Sequence, residues 1–92
     1  MNNHIKKIKL ILIKISILLK EGNYPDWGNS FMKFSEDIEI NFEAVKNQIL
    51  ILYGGMGSFN DIVLHRNKKP LINENNRLDD LRTQLYKLLT NN

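Results

Sequence analysis

Few side chains in this sequence are of types that do chemistry, and their spacing decides what they can do. The two histidines, His4 and His65, stand apart from each other, and neither has a second ligand at H-x-x-x-H or H-E-x-x-H spacing. That spacing would put two zinc ligands on one helix face, so no metal site is expected. There is no cysteine, which removes a thiolate ligand, a thiol nucleophile and any disulfide. The acidic pairs Glu36-Asp37 and Asp79-Asp80 are adjacent in sequence. On a helix such neighbours diverge by about 100° and do not converge on one substrate as an acid and base must. Ser58 lies in Gly57-Ser58-Phe59 without the G-x-S-x-G elbow. With no strand to present it, neither it nor Ser30 makes a nucleophile for His65 to activate. The expectation is a chain without enzymatic activity, metal or cofactor.

One segment resists a plain reading. Gly54-Gly55-Met56-Gly57-Ser58-Phe59-Asn60-Asp61 places three glycines in four positions, which suggests positive φ or close backbone approach and could turn amide N–H groups toward an anion. It is not a phosphate loop, because no G-K-[ST] follows and no strand precedes it. The structural reading is a helix stop with Gly54 or Gly55 left-handed, Phe59 packing back as an anchor, and Asn60 and Asp61 bonding local amides.

Charge is segregated along the chain. Residues 1–20 hold five lysines and no acid, whereas residues 21–61 hold seven acids against Lys33 and Lys46. Arg66, Lys68 and Lys69 follow, and the last stretch is balanced, giving a net charge of +3. A nucleic-acid binder gathers arginine or stacking aromatics on one basic face. Here the N-terminal cations are all lysine, and Glu36, Asp37, Glu39 and Glu43 would repel phosphate. Charge divided between two faces suits a protein partner.

The elements that position these residues follow from apolar periodicity. Ile5, Ile8, Leu12, Ile15 and Leu19 mark a helix over Asn3 to Glu21, stopped by Gly22. Leu10, Ile11, Ile13, Ile17 and Leu18 widen its stripe, so this helix is either central or has a second face that meets a partner. Pro25 or Asp26 starts a second helix with Trp27, Phe31, Phe34 and Ile38 as a core stripe. Asn41 caps a third, running to about Tyr53 with Phe42, Val45, Ile49 and Leu52 inward. The fourth runs from about Asn75 to Leu89, capped by Asn73 or Asn75, with Leu78, Leu81, Leu85 and Leu88 in register. Between the last two, Ile62-Val63-Leu64 and Leu71-Ile72 flank a polar turn. That reads as a hairpin with Pro70 at an edge, as an irregular excursion, or as a short helical turn around Ser58 to Leu64.

With 92 residues, 42% of them hydrophobic and 25% charged, the chain is expected to form one domain over residues 1–92. The predicted fold is mainly α, a bundle of about four helices with a short loop or β-hairpin insert between the third and fourth. Lys6 and Lys7 precede an apolar stretch, but Lys14 and Ser16 interrupt it and no small-x-small cleavage site follows, so neither a leader nor a membrane span is expected. The absence of cysteine fits a cytoplasmic protein.

Gly54 to His65, read as G-G-M-G-S-F-N-D-I-V-L-H, resembles the core of a small bacterial family of uncharacterised proteins. The likeness extends upstream through Pro25-Asp26-Trp27 and downstream through Leu78-Asp79-Asp80-Leu81-Arg82-Leu85-Tyr86, covering most of the chain after residue 18. Families of this type include immunity proteins of toxin systems, so the resemblance implies a protein-binding module that neutralises a cognate toxin by occlusion. The candidate contact residues are Glu36, Asp37, Glu39, Glu43, Phe59, Asn60, Asp61, His65 and Arg66. Two alternatives stay open: a nucleic-acid-associated regulator using the basic N-terminal helix, and a homo-oligomer, such as a dimer through that helix. No membrane partner is expected.

Overall fold

The apolar spacings become four helices and a small hairpin in a computed structural model that describes residues 3–54 and 58–91. Helix α1 spans Asn3–Glu21, α2 Pro25–Asp37, α3 Phe42–Ile51 and α4 Ile72–Thr90. A 3₁₀ turn at Phe59–Asp61 and strands β1 (His65–Arg66) and β2 (Lys69–Pro70) lie between α3 and α4. Both features considered for the insert are therefore present, the helical turn first and the hairpin after it.

Helix α1 is central. It packs on α2 along one side and α4 along another, while α3 joins the free sides of those two. Part of its wide stripe is used in this way, since Ile8, Ile11, Leu12, Ile15, Leu18 and Leu19 are all buried, whereas Leu10, Ile13 and Ile17 are not. Phe31, Ile38, Val45, Ile49, Leu78, Leu81, Leu85 and Leu89 complete the core with Phe59, Ile62 and Leu64 of the insert. Trp27, Phe34, Phe42, Leu52 and Leu88 are only partly buried and pack around its edge. The α1–α2 contact is close because Gly28 has no side chain: a Cβ there would lie 3.0 Å from the Ser16 carbonyl oxygen. Ser16 Oγ uses the approach to donate to the Gly28 carbonyl at 2.6 Å, which satisfies a buried hydroxyl.

The ends of the elements depart from the expected caps. At the end of α1 the left-handed residue is Asn23, with φ 74°, and Tyr24 N–H bonds Leu19 O at 2.8 Å across it. Gly22 is needed for another reason, since a Cβ there would stand 2.5 Å from Leu64 Cδ2 and 2.6 Å from Leu64 Cβ. Helix α3 ends at Ile51, short of Tyr53, where Leu52 and Tyr53 bond back to Ile49 and Leu50 in a tightened last turn. Gly54 is not left-handed, and Gly55, Met56 and Gly57 lie outside the described residues.

Asn41 caps α3 as expected, accepting from Ala44 N–H at 3.4 Å. Neither Asn73 nor Asn75 caps α4, which starts three residues earlier with Leu71 at the cap position and no side-chain cap. Asn75 instead holds the hairpin base. Its Oδ1 accepts from Leu64 N–H at 2.7 Å, and its Nδ2 donates to the carbonyls of Leu64 and Leu71, each at 2.9 Å.

The strands pair antiparallel, His65 with Pro70 and Arg66 with Lys69. They occupy the polar stretch rather than the apolar runs, because Ile62 and Leu64 are buried in the core instead. Both turn residues, Asn67 (φ 53°) and Lys68 (φ 64°), are left-handed, as a two-residue turn of type I′ requires.

The Gly22–Leu64 contact ties the end of α1 to the insert. Gly22→Ala should therefore destabilise the fold by about 2 kcal/mol in urea unfolding, the usual scale for overpacking against a buried side chain. A variant as stable as the parent would show that Leu64 yields without loss.

Candidate interaction surface

Among the described residues between α3 and β1 the one regular element is the 3₁₀ turn, and Arg82 of α4 holds it in place. Arg82 lies on the inward stripe of α4, four residues after Leu78 and three before Leu85, and its side chain is buried. It donates from Nη1 to the carbonyls of Phe59 at 2.7 Å and Ile62 at 3.4 Å, and from Nη2 to Asp79 Oδ1. A buried cation is tolerable only when its donors are satisfied, and here backbone carbonyls at both ends of the 3₁₀ turn serve as acceptors. The guanidinium carbon stands 5.5 Å from the centre of the Phe59 ring.

Phe59 is the hub of an aromatic cluster, with ring centres 4.6 Å from Phe31, 5.3 Å from Tyr53 and 5.9 Å from Trp27. Tyr53 donates from its hydroxyl to the Arg82 carbonyl at 2.8 Å. Burial holds the Tyr53 hydroxyl protonated well above its ordinary value of 10.0, with Arg82 opposing the shift and Tyr86 adding to it. Asn60 Nδ2 donates to the Tyr53 carbonyl at 2.8 Å, closing the ring of contacts.

Beside this cluster runs a furrow. One part, of about 720 Å³, is lined by Leu50, Tyr53, Gly54, Asn60, Asp79, Arg82, Thr83, Tyr86 and Lys87. A second part, of about 410 Å³, shares Asn60, Asp79 and Arg82 with it and continues past Val63 and Pro70 to Ile72. Along its margins Val63, Ile72 and Tyr86 remain 52%, 71% and 46% exposed. The hairpin cations Arg66, Lys68 and Lys69 are exposed near the Pro70 end and have no carboxylate within ion-pair distance among the described residues.

The residues singled out from sequence fall into two separate groups. Phe59 is completely buried, so it anchors the segment and offers no contact surface. Asn60 opens onto the furrow, whereas Asp61 is exposed in the same 3₁₀ turn. His65 and Arg66 form strand β1; His65 Nδ1 donates to Val63 O at 3.2 Å, and its ring meets Tyr24 edge-on at 5.8 Å. The four acids lie elsewhere, at the α2–α3 junction. Three of them are paired: Glu39 with Lys9 at 2.6 Å, Asp37 with Lys33 at 3.6 Å and Glu43 with Lys46 at 3.8 Å. The hydrogen bond and charge of Lys9 hold the Glu39 carboxyl below its ordinary value. The acidic run is thus largely neutralised by its own neighbours. Among the described residues no three His, Asp or Glu side chains converge as metal ligands would.

Sequence reading missed Arg82, Asp79, Tyr53 and Tyr86 as parts of this surface. For Arg82 the signal was present, since a charged residue stood on an otherwise leucine stripe.

Two measurements test this arrangement. Arg82→Ala should cost about 3 kcal/mol in urea unfolding, because two carbonyls lose a charged donor; Asp79→Asn, on the exposed side of the pair, should cost under about 1 kcal/mol. Equal losses would refute the view that the carbonyl bonds dominate. For Tyr53 the raised folded value means its stabilisation is intact below pH 10.0 and is lost as pH rises above it, where the unfolded tyrosine ionises. Tyr53→Phe should be less stable than the parent at pH 7, and the gap should narrow above pH 10. A gap that stays constant would contradict the buried hydroxyl.

No curated protein and no solved structure gives a match to the chain. One family does, over residues 20–72, from the end of α1 through the hairpin to the first residue of α4. The match takes in the Gly54 to His65 segment and stops short of Leu78 to Tyr86. Covering more than half of the sequence, it places this chain in the family described as Domain of unknown function (DUF6966).

Proposed function

We propose that the chain is a non-enzymatic protein-binding module of a bacterial toxin system, an immunity protein that neutralises a cognate toxin by occlusion. The observation that carries this reading is the furrow. Its floor is pinned by the Arg82, Asn60 and Tyr53 bonds, and its margins expose Val63, Ile72 and Tyr86. Apolar and aromatic side chains held on a rigid polar frame are what a protein interface uses at its centre, since little ordering entropy is lost on docking.

The charges at the ends of the furrow, Arg66, Lys68 and Lys69 at one and Lys87 at the other, suit a partner with an acidic rim. Such complementarity speeds capture, which matters when a toxin must be bound before it acts. Because three of the four acids at the α2–α3 junction are paired internally, the acidic face is the weaker candidate for the contact. The hairpin cations, which have no carboxylate in ion-pair distance among the described residues, also favour a second reading, contact with nucleic acid, which a gel shift at low salt would reveal.

The test is co-expression with toxin-like products of the neighbouring reading frames. Growth should be rescued, a stable complex should co-elute, and Tyr86→Ala together with Val63→Asp should weaken that complex by at least about tenfold, as loss of central contacts does. Absence of any rescue and any complex would remove this reading.

A further inference from the structure

Helix α1 keeps an outward face that the core does not use. Leu10 and Ile17 are 58% and 49% exposed, and Ile13, between them, is partly so. Spaced at i, i+3 and i+7, the three form one ridge opposite the buried line of Ile8, Leu12, Ile15 and Leu19. A helix face turned to water ordinarily carries polar side chains along its middle. Here the middle is aliphatic and the polar positions around it are Lys6, Lys7, Lys14 and Lys20, with Glu21 at the end of the helix, all exposed.

None of these four lysines has an ion pair among the described residues. Glu39 is the carboxylate that reaches α1, and its hydrogen bond is to Lys9, with Lys6 acting on it only at longer range. No acid occurs in residues 1–20, and Glu21 is the first. Two copies of this chain packed ridge to ridge would therefore set lysine against lysine, which disfavours a dimer through this face.

A convex aliphatic ridge with lysines on both shoulders fits a flat anionic surface. Leucine and isoleucine can enter the boundary between headgroups and acyl chains, while the lysine stems reach back to lipid phosphates. We infer that the outer face of α1 is a docking site for an anionic lipid surface, with Leu10, Ile13 and Ile17 entering the interface and Lys6, Lys7, Lys14 and Lys20 contacting phosphate. Among the described residues no helix is long and apolar enough to cross a membrane, so the contact is peripheral. It uses none of the furrow residues and does not depend on the toxin-binding proposal.

The experiment is co-sedimentation of the full chain with large vesicles of phosphatidylglycerol and phosphatidylcholine in equal parts, against vesicles of phosphatidylcholine alone. Binding should occur only to the anionic vesicles and weaken with added salt. Each lysine near an anionic leaflet changes partitioning about fivefold. Lys14→Glu, a reversal, should therefore lower it about 25-fold, and the paired variant Leu10→Ser with Ile17→Ser should lower it at least about tenfold. Both variants change exposed positions, and thermal unfolding checks that the fold is kept; should the serine pair unfold, Leu10→Gln alone takes its place. Equal binding to both vesicle types, or none to either, overturns the inference. So does serine-pair binding equal to the parent, since the ridge would then not enter the interface. Binding to duplex DNA as tight as to vesicles would assign the face to polyanions in general and overturn it as well.

Discussion

The structure turns on a guanidinium buried where no regular element could satisfy the backbone. Before strand β1 the chain passes through a 3₁₀ turn and an extended stretch, where the Phe59 carbonyl accepts from Ile62 N–H only at a long 3.4 Å. Arg82 supplies the donors from α4. Burying it in turn needs a lining that is apolar on one face and accepting on the other, which is what the Phe59 ring and the two carbonyls provide. The cation and the loop each make the other's burial tolerable. Neither would be stable in this position alone.

From that bond the rest of the surface follows. With Phe59 fixed, its ring packs against Phe31, Tyr53 and Trp27, so the loop is bound to α2 and the end of α3 as well as to α4. Asn60, next in sequence, is left facing the furrow, and the chain runs on to Leu64, where Asn75 and Gly22 receive it. The hairpin is short and has an exposed edge, yet it stands on a base held by Asn75 and by Asn23, whose Nδ2 donates to His65 O at 2.9 Å. Its cations are thereby presented on a fixed frame.

What could be read from sequence was whatever repeats locally. The four helices follow from apolar residues at three- and four-residue spacing, and the inward positions of α1 and α4 follow with them. Turn chemistry placed the insert correctly between α3 and α4. The caps of α1 and α4 were misassigned because Gly22 and Asn75 serve distant partners: Gly22 makes room for Leu64, and Asn75 bonds the backbone of Leu64 and Leu71. Their residue types are those of caps, and apolar periodicity has no access to the contact that Gly22 makes with Leu64 or to the bonds that turn Asn75 back onto the hairpin base. The pairing of the acidic run was only partly legible for a similar reason. Its counterions Lys33 and Lys46 lie on the same helices, but Lys9 comes from α1 and is seen beside Glu39 only when the fold is closed. For the other lysines of α1, Lys6, Lys7, Lys14 and Lys20, the reverse holds, since they cluster in sequence and have no ion pair among the described residues.

The family match ends at residue 72, ten residues before the arginine on which its most distinctive segment depends. Phe59 and Ile62 lie within the matched span, but the donors to their carbonyls come from beyond it, as does Asn75, which holds Leu64. On the other side, α1 supplies six of the buried core residues, all before residue 20. The matched stretch therefore draws on both flanks: it carries α2, α3, the 3₁₀ turn and the hairpin, while α1 and α4 provide the surface on which they set. A domain cut to residues 20–72 would expose Phe31 and Phe59 and leave two carbonyls without their charged donor. The smallest unit that keeps the furrow intact must extend at least through Lys87 and include the inward face of α1.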